Sequence, residues 1–195
     1  MDAINILVGI NLFVTMTSQI SAAKTGIKTS LSKVAKKPKT YLQKLPPNIS
    51  AVLTLLIVLG IFSIGILQPE DFESYFNIRV IGLVIFVIFS WLQIKAFKTL
   101  GNSYSQEIVI LKEHELHTSG LYKTMRHPQY LFQILSDLGA GLALMSYLVV
   151  PLVVLVELPL FIMRASAEEK MLTQHFGDEY IEYKKKSGFI LPYIG

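Results

Sequence analysis

Three features of the sequence predict an all-α integral membrane protein of about five transmembrane helices. Of 195 residues, 52% are hydrophobic and only 16% charged, whereas ordinary soluble domains carry about a quarter charged residues. Four apolar regions are nearly free of charge, and a helix needs about 20 such residues to cross about 30 Å of hydrocarbon. The basic residues are segregated: 24–48 holds seven lysines and no acid, leaving 11 basic against 14 acidic residues elsewhere and a net charge of +4. The excess is one loop and not a nucleic-acid footprint, so no nucleic-acid partner is expected.

The first span is expected over Ala3–Ala23, softened by Asn5, Asn11 and Gln19. Its flank MDAINILV has an acid and no lysine, unlike the basic start of a cleavable signal peptide, so it reads as a retained helix. The second span, Ala51–Leu67, is uncharged up to the breaker Gln68-Pro69. The third, Val80–Ile94, extends to Leu100, where Gly101-Asn102 stops it. The fourth region, Leu131–Met163, carries only Asp137 and Glu157 as charges. As one helix rising about 1.5 Å per residue it would overshoot a bilayer, so it should fold into a short hairpin. Ser146-Tyr147 is the expected corner, with Pro151 in the first turn of the returning helix. Beyond it, MRASAEEKMLTQHFGDEYIEYKKK has Leu172, Phe176 and Tyr180 four apart, an amphipathic C-terminal helix with a break near Gly177 and an end at Gly188.

Lysine and arginine in short loops set orientation. The 24–48 loop, Lys95, Lys98, Lys123, Arg126 and the run Lys184-Lys185-Lys186 belong in the cytoplasm, and Glu70-Asp71-Glu73 outside, with the N-terminus outside or lumenal. Two parts follow: 1–100, three N-terminal helices with the lysine loop, and 101–195, a functional region holding the hairpin and the cytoplasmic helix. Attraction of the lysine loop to anionic lipid is a secondary role.

The stretch HTSGLYKTMRHPQYL, 117–131, concentrates polar side chains between apolar runs. Thr118-Ser119-Gly120 is turn chemistry, and Pro128 suits a first helical turn with His127 before it. A plain surface cap explains much of this, but not the additional histidines at 114 and 117, which favour a ligand site on the cytoplasmic face. No carboxylate stands at ligand spacing to the three histidines, so no metal is expected. A second constellation places Glu157, Arg164 and Glu168 on one helical stripe, with Glu169 beside them. This could be an ordinary ion pair, yet intramembrane acids such as Glu157 and Asp137 are expensive and face polar interiors. Without cysteine the chain has no disulfide, thiolate ligand or thiol nucleophile.

Together the residues Gly120-Leu121-Tyr122, Arg126-His127-Pro128-Gln129-Tyr130, Arg164, Glu168-Glu169, Leu172, Phe176-Gly177, Glu179-Tyr180, Tyr183 and Leu191-Pro192 resemble the isoprenylcysteine carboxyl methyltransferases and, more loosely, the phospholipid methyltransferases. The resemblance covers roughly 100–195. It implies a cytoplasmic pocket for S-adenosylmethionine, with S-adenosylhomocysteine as product, built from His114, Glu115, Leu116, His117, Tyr122, His127, Pro128, Gln129 and Tyr130. Gln106 is implied as a further contact. Glu168 would close the pocket, and Arg164 would hold the carboxylate of a prenylcysteine or similar lipophilic substrate arriving from the bilayer, which makes Arg164 and Glu168 the implied catalytic pair. Many relatives have a glycine where this chain has Leu131-Phe132. A carboxylate and a sulfonium methyl need alignment and desolvation but no general base, and an arginine fork suits a carboxylate. Three other readings stand beside this one: phospholipid N-methylation, an NADPH-dependent membrane steroid-type reductase with a similar C-terminal region, and a transporter using Asp137 and Glu157.

Overall fold

The computed structural model describes residues 2–101, 105, 107–111 and 115–195, without the side chains of 19–33, 36, 69 and 111. Asp2 caps the first helix by accepting from the Asn5 N–H at 2.9 Å. Helix α1 then runs over Ala3–Lys33, ten residues beyond the expected end at Ala23. Lysine is a good helix former, so the basic segment extends the helix, and the loop proper begins only at Val34. There the chain departs from an all-α plan: β1 (Val34–Lys36) pairs antiparallel with β2 (Ile110–Leu111) in a two-stranded ribbon.

Helix α2 spans Leu45–Ile61, with Pro46 and Pro47 in its first turn, where missing N–H groups cost nothing. It stops before the expected Leu67, because Ser63 and Gly65 take positive φ. Helix α3 covers Phe76–Leu100 and ends at Gly101 (φ 50°), the stop expected from sequence. Helix α4, Pro128–Ala143, begins with Pro128 directly after the N-cap His127. The hairpin corner forms as expected: Ser146 Oγ accepts from the Val149 N–H at 3.2 Å and donates to the Gly65 carbonyl at 2.9 Å. The returning helix is α5 (Val149–Leu152), a π-helical turn (Val153–Glu157) and α6 (Leu158–Phe176) in continuous succession. Pro159 explains the wide turn, since it has no N–H and its ring clashes with the carbonyl four residues earlier. Gly177 (φ 56°) then turns the chain into α7, Asp178–Lys186, which ends two residues before Gly188.

Three described segments are long and apolar enough to cross a membrane: Tyr41–Ile61, Phe76–Leu100 and Val149–Phe176, with Ala3–Ser18 a shorter apolar helix. At 1.5 Å per residue the 16 residues of α4 span about 24 Å, less than a full hydrocarbon layer. Large apolar side chains such as Phe13, Leu55, Ile81 and Leu155 point outward, as expected of a chain solvated by lipid. Inside, Val8, Leu53, Phe86, Ala140, Leu144, Val153 and Ala165 form one core that joins the two halves of the chain.

The crossing of α3 and α4 depends on two glycines. A Cβ at Gly82 would stand 2.8 Å from the Gly139 carbonyl oxygen, and one at Gly139 would stand 2.5 Å from the Phe86 nitrogen. Backbone-to-backbone contact of this kind is how membrane helices gain packing without a hydrophobic driving force between them. It brings the first turn of α4 against α6, where the polar residues lie.

Candidate active site

The segment before α4 is held by the C-terminal strand of chain. Arg126 N–H donates to the Gly188 carbonyl at 2.8 Å and His127 N–H to Phe189 at 3.2 Å, while the N–H groups of Gly188 and Tyr193 both reach the Thr124 carbonyl at 3.0 Å. The buried Arg126 guanidinium completes this fastening. It pairs with Glu169, donates to the Ser187 carbonyl, and reaches the carbonyls of Lys184 (3.2 Å) and Gly195 (3.1 Å). Arg126 and Glu169 are thus central to the site, although the sequence places them only in the motif and gives them no part in the pocket. Their signal was present in the run RHP and the doubled Glu168-Glu169, but nothing local reveals that an arginine will meet carbonyls some sixty positions away.

Two neighbouring cavities result. The first is lined by Glu115, Leu116, His117, Tyr122, His127, Gln129 and Glu168, which the sequence reading grouped, and by Ile108–Ile110, Met171, Tyr180 and Tyr183, which it did not assign to a pocket. The second is lined by Arg164, Tyr130, Gln133, Gln93, Phe97 and Phe161, with Pro47 and Ser50 from α2. Tyr130 therefore faces the arginine side and not the first cavity, and Pro128 lines neither, serving as the first residue of α4. Gln106 and His114 lie outside the described residues. Ser105 and Gln129 line both cavities.

The polar atoms of the first cavity are unusual. His117 Nε2, His127 Nε2, Gln129 Oε1 and Tyr180 OH are buried and, among the described residues, have no hydrogen-bond partner. Native interiors rarely leave such groups unpaired, and each costs about 1–3 kcal/mol if nothing binds it. His127 is 4% exposed and is held as a ring, stacked on Tyr130 at 5.6 Å and edge-on to Phe189 at 5.4 Å. Its Nδ1 lies 3.7 Å from Glu168 and its Nε2 3.7 Å from Glu169, both beyond hydrogen-bond reach. Burial, reinforced by the nearby Glu169 charge, pushes the Tyr180 hydroxyl well above the ordinary phenol range, and burial raises Tyr183 to about 12. Both remain donors at neutral pH; Tyr183 uses its proton on the Tyr122 carbonyl at 2.5 Å, whereas Tyr180 keeps its own for the cavity.

At the second cavity the Tyr130 hydroxyl donates to Glu168 and accepts from Arg164 Nε at 2.9 Å. Arg164 Nε also reaches Glu168 at 3.2 Å, and its Nη1 reaches the Leu42 carbonyl at 3.3 Å. Leu42 belongs to the lysine loop, whose far end is structural: Gln43 brackets Ile108, donating to its carbonyl and accepting from its N–H, each at 2.9 Å. The expected stripe from Glu157 through Arg164 to Glu168 is divided. Arg164 and Glu168 meet as neighbours one turn apart, but Glu157 (1% exposed) sits in the π turn and faces Ser50 at 3.2 Å and Asp137. Gln133 links to Asp137 at 2.5 Å. The two acids therefore stand behind the second cavity, holding its lining residues Ser50 and Gln133, and do not line it themselves.

The model of the isoprenylcysteine carboxyl methyltransferase family matches residues 80–174. A protein-S-isoprenylcysteine O-methyltransferase of Saccharomyces cerevisiae is 34% identical over 59% of this chain and 49% of its own length. A probable enzyme of that name from Oryza sativa is 35% identical over 67% of this chain and 69% of its own. The match thus spans about half of the yeast relative and about two thirds of the rice one. The solved structure of the eukaryotic intramembrane Ras methyltransferase ICMT superposes with a TM-score of 0.60 at 24% identity, over 77% of this chain and 54% of that one. With the rice relative 35% identical over 69% of its own length and the family's model matching residues 80–174, the chain belongs to the isoprenylcysteine carboxyl methyltransferase family.

Proposed function

We propose that this protein methylates the carboxylate of a prenylated cysteine or a similar lipophilic acid, with S-adenosylmethionine as the donor. The observation that carries the reading is the pair of adjoining cavities, one with buried polar atoms that have no partner among the described residues and the other with a buried arginine. Unpaired donors and acceptors on rigid rings suit a nucleoside and an amino-acid group, so the residues present fit this donor. His117, His127, Gln129 and Tyr180 would hold it, with Glu115, Leu116 and Tyr122 around them. When bound, S-adenosylmethionine supplies an activated methyl: a carboxylate lone pair forms the C–O bond, the C–S pair returns to sulfur, and no proton moves.

Arg164 offers the positive charge that draws a carboxylate out of the lipid phase. Tyr130 and Glu168 hold its Nε, fixing the guanidinium plane before substrate arrives. Such prior positioning is worth several kcal/mol in a transfer between two bound partners. Glu168 lines the first cavity, so its charge also favours a cationic donor there. Phe97, Phe161 and Pro47 give the second cavity an apolar wall for a lipid tail. We place this site at the cytoplasmic face, with the N-terminus outside or lumenal, and read α1 and α4 as the spans that complete five. Residues 101–195 form the catalytic region and 1–100 the supporting helices with the lysine loop.

Calorimetric titration of the detergent-purified protein with S-adenosylmethionine, S-adenosylhomocysteine and NADPH tests the donor, and labelled methyl transfer to farnesylcysteine tests the acceptor. Binding of both sulfur compounds with base-labile methyl incorporation is expected. NADPH bound in their place would sink the reading.

A further inference from the structure

Gln129 occupies the second position of α4, and its side chain stands in the wall between the two cavities, a place shared among the described residues with Ser105 alone. The polar groups nearest to it each have at least one partner. Ser105 Oγ accepts from the Glu107 N–H at 3.1 Å. The Tyr130 hydroxyl is engaged by Glu168 and Arg164, and Glu168 Oε1 by both of them. Gln129 Oε1 alone among these is a buried acceptor without a partner among the described residues. An amide oxygen has no use for an apolar tail or for a carboxylate, either of which would leave it unpaired or repel it. It matches a positively polarised group passing between the cavities.

We propose that Gln129 reads the methyl group of the donor. Resting on the methyltransferase reading above, this assigns its amide oxygen to the polarised C–H bonds and positive charge of the sulfonium, directing the methyl toward the Arg164 cavity. Carbonyl acceptors make weak but real bonds to such C–H groups. The neutral thioether product has neither the methyl nor the charge, so the contact is lost as transfer completes. Gln129 thereby adds to the preference for substrate over product that the Glu168 charge in the same cavity also favours.

The test compares two ligands on two variants. Gln129→Met keeps length and bulk but removes the oxygen, and should weaken S-adenosylmethionine binding by about 5-fold while leaving S-adenosylhomocysteine within about 2-fold. Gln129→Glu places a full charge at the same point and should move the preference the other way, toward the sulfonium. Thermal unfolding of each variant in detergent monitors the fold, and if the Met variant is not folded the Glu variant still reads the sign. Equal losses for the two ligands, or no change in their ratio, would overturn the assignment and leave Gln129 as wall packing. Failure of the unaltered protein to bind either sulfur compound is a different result and strikes the parent reading instead.

Discussion

Two arginine-centred clusters lie at different places along the bundle, and they are finished differently. Arg79, 2% exposed, sits in the first turns of α3. Its Nε donates to the Ala143 carbonyl at 3.0 Å, its Nη groups grip the Asp2 carboxylate, and Nη2 reaches Asn5 Oδ1 at 2.9 Å. Phe72 covers the guanidinium at 3.8 Å from the ring centre. The cluster ties the starts of α1 and α3 to the end of α4 and is saturated by the protein's own groups. Around Arg126 and Arg164 the arginines are also held, but the rings and amide beside them present unpaired atoms to a cavity. A buried polar network that is complete stabilises and specifies a fold. Four of the five buried atoms left without a partner among the described residues belong to the lining of this one cavity, capacity that suits a bound ligand.

This contrast can be broken from either side. Arg79→Ala should have the largest effect, about 3–5 kcal/mol of stability, because it leaves buried acceptors and a carboxylate without their cation. Thermal unfolding in detergent would show it, with donor affinity per folded molecule unchanged; a comparable loss of affinity would mean the clamp reaches the site. Arg164→Ala should do the converse, lowering kcat/KM for the acceptor about 10²–10³-fold as the cation that binds and orients its carboxylate is removed. Its dissociation constant for S-adenosylmethionine should stay within about 3-fold, and if cofactor binding disappears instead, the carboxylate role belongs to another group. Tyr130→Phe is the gentlest. It removes one hydroxyl from the Arg164–Glu168 pair, and kcat should fall about 10-fold, the worth of one charge-assisted hydrogen bond. Recovery of the full rate in this variant would show that Glu168 alone suffices to orient the arginine.

The sequence made the site legible where chemistry is dense over a short span. His117, Tyr122, His127 and Gln129 lie within one loop and turn; a surface cap accounts for much of that stretch, and it is the resemblance carried by its motif that groups them without coordinates. The hairpin corner at Ser146 and the stop at Gly101 were legible for a similar reason, because turn chemistry and helix ends are local. Tyr130 lines the second cavity and not the first with its sequence neighbours, since the face a residue presents depends on how α4 rolls against α3 across Gly82 and Gly139. Glu157 and Arg164 stand about two helical turns apart and meet different neighbours, Ser50 for the acid and Tyr130, Glu168 and Leu42 for the arginine, which helical spacing alone does not reveal. The ribbon of β1 and β2 escaped notice because its strands are three and two residues long and lie about seventy positions apart.

By itself, then, the sequence determined the solvent and the inventory. Long uncharged runs require lipid or a core, since water cannot be excluded from them more cheaply, and the clustered histidines, tyrosines and Arg164 supply the functional groups whatever the packing. Only the tertiary structure decided which of those groups are spent and which are available. The bonds that make the difference join Arg126 to Ser187, Gln43 to Ile108 and Arg164 to Tyr130 and Leu42. Each joins groups from separate parts of the chain, and none exists until packing brings its two ends within hydrogen-bonding range.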